Sequence, residues 1–152
     1  EVMARYIKEI ELGIAPEKVE EILEDFLQEN TFYKTTWKGE ACYTADFSVL
    51  KEVQFLKYSY ENGVLHFEAW LRNGASKEQG LTGMGAMDLK KPYLEAVLSL
   101  LGRCIQESPQ ARDKKDILLQ TEKKQFSVYE VLLPLALLLA VALIWSAFSL
   151  GR

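Results

Sequence analysis

The chain is poor in the residues that most often carry chemistry. It has one histidine and two cysteines in 152 residues. A structural zinc site takes four Cys or His ligands. Cys42, Cys104 and His66 are the whole supply, and no CxxC pair exists. No metal or cofactor is therefore expected. Positive charge is also short: the net charge is −4, with the acidic excess in residues 1–110. Binding to a phosphate backbone needs a positive surface, so a nucleic-acid partner is not expected. Both cysteines are expected to be reduced and partly buried, although a Cys42–Cys104 disulfide stays open if the domain lies outside the cytoplasm. Residues 1–12, EVMARYIKEIEL, hold no apolar stretch of signal-peptide length.

Apolar residues are concentrated at the other end. Val131 to Leu150 reads VLLPLALLLAVALIWSAFSL, twenty residues without a charge. At about 1.5 Å per residue such a helix measures about 30 Å, the hydrocarbon thickness of a bilayer. A transmembrane helix over residues 129–150 is the expectation. Tyr129 and Trp145 suit the interfacial belts. Pro134 falls early in the span, where a missing donor costs least. The run contains no ionisable residue, so it reads as an anchor rather than an ion path. Ala136, Ala140, Ala142 and Ala147 offer small surfaces, but no GxxxG is present. Before the run lie Arg112, Lys114, Lys115, Lys123 and Lys124; after it comes Arg152. The positive-inside rule then puts residues 1–128 in the cytoplasm, giving a single-pass, tail-anchored protein of the cell membrane.

The remaining chain alternates strand and helix signals. Residues 4–12 alternate as a strand, with Ala4, Tyr6, Ile10 and Leu12 on one face and Lys8 interrupting it. Pro16 to Glu29 reads as a helix: Pro suits its first position, acids its first turns, and Val19, Ile22, Leu23, Phe26 and Leu27 form one stripe. Strands are expected at 31–37, 41–47, 53–60 and 64–71, with Lys38-Gly39 and Asn62-Gly63 as turns. Asn-Gly favours the type I′ turn, in which both central residues have positive φ. A two-residue Asn62-Gly63 loop pairs Tyr60 with Leu65, Tyr58 with Phe67 and Leu56 with Ala69 on an apolar face. Ser59 then meets His66, and Lys57 meets Glu68, on the polar face.

Residues 72–91, RNGASKEQGLTGMGAMDLKK, carry Gly74, Gly80, Gly83 and Gly85 but lack the GK[ST] of a phosphate loop. They read as a flexible loop with a short strand near Met84–Leu89. A second helix is expected from Pro92 to Gln106, with Leu94, Val97, Leu98, Leu101 and Ile105 as its stripe, stopped by Ser108-Pro109. The fold class is α+β: an antiparallel sheet of four to five strands with two amphipathic helices on one face, plus the membrane helix. Residues 1–107 form the soluble domain, 108–128 a polar linker with partial helix through Ile117–Leu119, and 129–150 the span.

Ser59 beside His66 invites a hydrolase reading, but a triad also needs an orienting carboxylate, and the register gives Glu68 to Lys57. No catalytic residue is assigned. The stretches PEKVEEILEDFLQENTFYKTTWKGEACY, FLKYSYENGVLHFEAWLR and GLTGMGAMDLKK resemble small membrane proteins of Gram-positive bacteria with no assigned activity. In those relatives a similar α+β domain often follows a zinc ribbon. The ribbon is absent here, and the resemblance implies a fold rather than an activity. The expectation is a membrane-anchored, non-enzymatic interaction module with a protein partner. The alternative is a small-ligand or lipid-binding domain whose pocket lies between sheet and helix, lined by Leu56, Tyr58 and Phe67.

Overall fold

The computed structural model describes residues 5–47, 52–82 and 87–150. Its elements in order are β1 (Tyr6–Glu11), α1 (Pro16–Glu29), β2 (Tyr33–Trp37), β3 (Glu40–Phe47), β4 (Glu52–Glu61), β5 (Val64–Asn73), β6 (Lys77–Gln79), α2 (Met87–Gln106), α3 (Pro109–Arg112) and α4 (Lys115–Leu150). The chain divides into two compact units, Glu1–Leu119 and Gln120–Arg152.

The first unit is α+β. Its antiparallel sheet runs β1-β5-β4-β3-β2, with β6 also paired to β5. The strands number six among the described residues, more than expected. The expected hairpin register holds pair for pair: Tyr60 with Leu65, Tyr58 with Phe67, Leu56 with Ala69, Ser59 with His66 and Lys57 with Glu68. Asn62 and Gly63 supply the turn at φ 51° and 79°, and Lys38 and Gly39 repeat it at 50° and 80°. Period-two alternation then separates the faces. Leu56, Leu65, Phe67, Ala69 and Leu71 are fully buried on one side.

The helices supply the matching apolar stripes. In α1 the buried residues are Val19, Ile22, Leu23, Phe26 and Leu27, as the spacing predicts. In α2 they include Leu94, Val97, Leu98, Leu101 and Ile105. The Tyr93 hydroxyl donates to the Phe55 carbonyl at 2.7 Å, tying α2 to the middle of β4. Ser108 closes the far corner: its hydroxyl donates to the Leu12 carbonyl and accepts from the Ala111 amide at 3.2 Å, capping α3.

Four expectations need correction. Residues 77–79 form β6 rather than part of a flexible loop, because Arg72 pairs with Glu78 in the ladder and Glu78 is anchored from both sides. The strand expected near Met84–Leu89 does not form over 87–89, which open α2; residues 83–86 lie outside the described residues, as does Ala4. Helix α2 therefore starts before Pro92, which sits inside it. The expected polar linker over 108–128 is helical in α3 and from Lys115 onward.

Helix α4 extends from Lys115 through the apolar run to Leu150. Within α4 the side chains from residue 134 to 149 are described, and all are exposed. Among the described residues, no helix is long and apolar enough to cross a membrane.

Candidate functional site on the polar face of the sheet

The face of the sheet that carries His66, Glu68 and Trp70 has two ends of different character. At one end Cys42, Val53, Phe55 and Trp70 are buried together, with Trp37 against them. The Phe55 and Trp70 rings stack at 5.5 Å, and Trp37 lies 4.8 Å from Phe55. The Arg5 guanidinium covers this group, 3.8 Å from the Trp70 ring centroid. A cation over an indole face is attracted by the ring quadrupole, more so when water is excluded.

Arg5 also holds three carboxylates from three strands. It donates two bonds to Glu78, at 2.7 and 2.9 Å. It reaches both Glu40 oxygens at 3.1 Å and Glu68 at 3.3 Å. The planar fork of arginine suits such bidentate pairing. Trp37 Nε1 donates to Glu78 at 2.9 Å, and Lys57 donates to Glu40 at 2.7 Å. The electrostatic consequences follow. Arg5, then Lys57, pulls the Glu40 carboxyl from 4.5 down to about 2. Arg5, with the Trp37 N–H helping, lowers Glu78 as well. Glu40 in turn raises the Lys57 ammonium. The cluster sets two cations, Arg5 and Lys57, against three carboxylates, Glu40, Glu68 and Glu78.

At the other end the strip opens to solvent. His66 is half-buried, with Nδ1 at 3.1 Å from Glu9 and Nε2 at 3.3 Å from Glu68. Both ring nitrogens are directed at carboxylates, so neither is turned toward the Ser59 hydroxyl. Cross-strand register brings Ser59 and His66 together as expected, yet the geometry lacks the nucleophile–base bond on which triad chemistry rests. Glu68 serves Arg5 and His66 as well as Lys57, at 3.8 Å from the latter. Sequence reasoning missed Arg5 and Glu78 as the hub; the signal that could have found Arg5 is the odd-numbered alternation of Arg5, Ile7 and Glu9 leading into and along the polar side of β1.

The other residues singled out in the sequence are placed as follows. Leu56 and Phe67, expected to line a pocket, are fully buried in the core. Tyr58 stacks on Tyr43 at 5.8 Å, and burial raises its phenol. Cys42 and Cys104 are free, buried thiols, Cys42 beneath the polar face and Cys104 on α2. Burial raises both, Cys104 to about 11. Among the described residues no cluster of His, Cys, Asp or Glu is arranged to hold a metal. Gly74 takes φ 68° in the β5–β6 turn, while Gly83 and Gly85 lie outside the described residues.

A polar cleft of about 300 Å³ lies beside β1, lined by Glu9, Ile10, Glu11, Gln110, Ala111 and Lys114. It adjoins the solvent-exposed end of the strip through Glu9. Comparison with protein families, with curated proteins and with solved structures finds no match for this chain.

Proposed function

We propose that the chain is a membrane-anchored interaction module: a small α+β domain that presents its polar sheet face and edges to a protein partner, held to a bilayer by the apolar part of α4. The observation that carries this reading is the exposure of residues 134–149 of α4. Leu135, Leu137, Leu138, Leu139, Val141, Leu143, Ile144, Trp145 and Phe148 are all exposed, Trp145 at 77% and Phe148 at 79%. An apolar surface on this scale calls for an apolar partner phase. The uncharged run from Val131 to Leu150 has the length of a span. The basic residues from Arg112 to Lys124 orient the domain to the cytoplasm. The sheet face offers a charged cluster of Arg5 and Lys57 with Glu40, Glu68 and Glu78, a surface suited to recognition.

Protease protection tests it. The full chain is synthesised in the presence of sealed inside-out bacterial membrane vesicles, whose outer surface is cytoplasmic. The domain is expected to be degraded by added protease, leaving a membrane-protected fragment that contains Leu135–Phe148. A fully digested chain would remove the anchor, and a protected domain would reverse the orientation.

A further inference from the structure

Strand β1 lies at one edge of the sheet, and among the described residues no strand pairs with its outer side. Antiparallel strands turn the backbone groups of alternate residues toward the partner strand and those between them away. The Leu12 amide donates to the Gly63 carbonyl at 2.8 Å, which assigns the even-numbered residues of β1 to the β5 side. The N–H and C=O groups of Ile7, Glu9 and Glu11 therefore face outward. The Glu11 carbonyl confirms the direction, since Gln110 Nε2 donates to it from α3 at 3.3 Å. For the outward groups of Ile7 and Glu9, no hydrogen bond from another described residue occupies the edge.

Two further observations select the occupant. The cleft of about 300 Å³ between β1 and α3 lies against this edge and has room for a side chain. Glu9 and Glu11 project from the same face of the strand and are exposed, Glu9 with 70% of its side chain in solvent although its carboxylate also meets His66, and Lys114 lines the cleft beside them. Opposite charges across a strand pair favour pairing and like charges oppose it. A second copy laid antiparallel and centred on Glu9 would set carboxylate against carboxylate. Centred on Ile7 it would set Glu9 against Arg5, which Glu40 and Glu78 already hold.

We infer that β1 is a strand-addition site for an extended segment of a partner protein with basic side chains at alternate positions, its backbone pairing with Ile7 and Glu9 and its cations facing Glu9 and Glu11. Main-chain hydrogen bonds supply the affinity of such a site, and alternate side chains its selectivity. This inference rests on the reading of the chain as an interaction module and names the partner's chemistry.

The test is amide hydrogen exchange of the full chain in detergent micelles, with an alternating Lys–Val hexapeptide and an alternating Glu–Val control. The Lys–Val peptide is expected to slow exchange at Ile7 and Glu9 at least fivefold, and the Glu–Val peptide to leave it unchanged. Ile7→Pro removes an outward donor without touching the β5 ladder and abolishes the protection. The double variant Glu9→Lys, Glu11→Lys keeps the edge and weakens Lys–Val binding at least tenfold, which preserves the test should the proline variant not fold. Equal protection by both peptides, protection only along β2, or none at all overturns the proposal. Protection that rises with protein concentration in the absence of peptide also overturns it, in favour of a second copy. Failure at the edge with the chain still anchored leaves the module reading standing; peptide binding by a chain that does not enter membranes overturns the anchor and leaves the edge.

Discussion

Replacing Arg5 by alanine should cost about 2–3 kcal/mol at pH 7, and the cost should shrink in acid. The magnitude comes from two contributions. Arg5, with Lys57, displaces the Glu40 carboxyl from 4.5 to about 2. At about 1.4 kcal/mol per tenfold step that corresponds to about 3 kcal/mol. The Glu40 side chain is 31% exposed and keeps Lys57, so solvent screening and the remaining partner bring the loss to about 1–2 kcal/mol. The guanidinium over Trp70 adds about 1 kcal/mol. A carboxylate depressed in the folded state adds stability above its unfolded value and loses it as pH falls through the folded one. The wild-type chain should therefore lose stability between pH 4.5 and about 2. The variant lacks most of that contribution, so the two curves approach each other, the difference at pH 3 falling to about two-thirds of that at pH 7 because the contact with Trp70 does not titrate. Denaturant titration in detergent, followed by tryptophan fluorescence, is the assay; Trp37 and Trp70 both sit in the cluster. A loss below about 0.5 kcal/mol at pH 7, or an equal loss at both pH values, would refute the account of Arg5 as the hub.

Other expectations concern backbone, cap and thiols. Gly63→Ala places a Cβ 3.3 Å from Gly13 Cα at φ 79°, whereas at Gly39, with φ 80°, a Cβ meets nothing within 4 Å. Melting of the two variants should show Gly39→Ala costing about 1 kcal/mol of backbone strain and Gly63→Ala about 1 kcal/mol more. Ser108→Ala removes the α3 cap and the donor to Leu12 at a fully buried site, and should cost about 1–2 kcal/mol by denaturant titration. Cys42 and Cys104 should resist iodoacetamide at pH 8 in the folded chain and react after denaturation, as mass spectrometry would show.

Much of the sheet was legible because its determinants are local. Asn62-Gly63 between alternating residues specifies a hairpin and its register together, and the faces follow from period two. The α1 and α2 stripes were equally plain from their spacing. The same dipeptide occurs at Asn73-Gly74, yet β6 went unread because Ala75 to Gln79 carries no apolar alternation. Its reason for being a strand is remote: Glu78 is held by Arg5, 73 residues earlier, and by Trp37. The pairing of β1 with β5, and with it the Glu9–His66–Glu68 arrangement, is likewise a long-range fact with no mark in either segment. The stretch before the apolar run looked like a linker because charged and polar residues dominate it, Ile117, Leu118 and Leu119 being a short apolar break. Pro109 behind the Ser108 cap was taken only as a stop, whereas it opens α3.

The anchor remains the claim on which the functional reading turns, and alkaline carbonate extraction of membranes bearing the full chain tests it most directly. The full chain should stay in the membrane pellet, while a variant with Leu138→Arg and Leu139→Arg, costing about 2.5–3.5 kcal/mol per charge at mid-span, should shift to the supernatant. A full-length chain that is released by carbonate and runs as a monodisperse species without detergent would contradict the account.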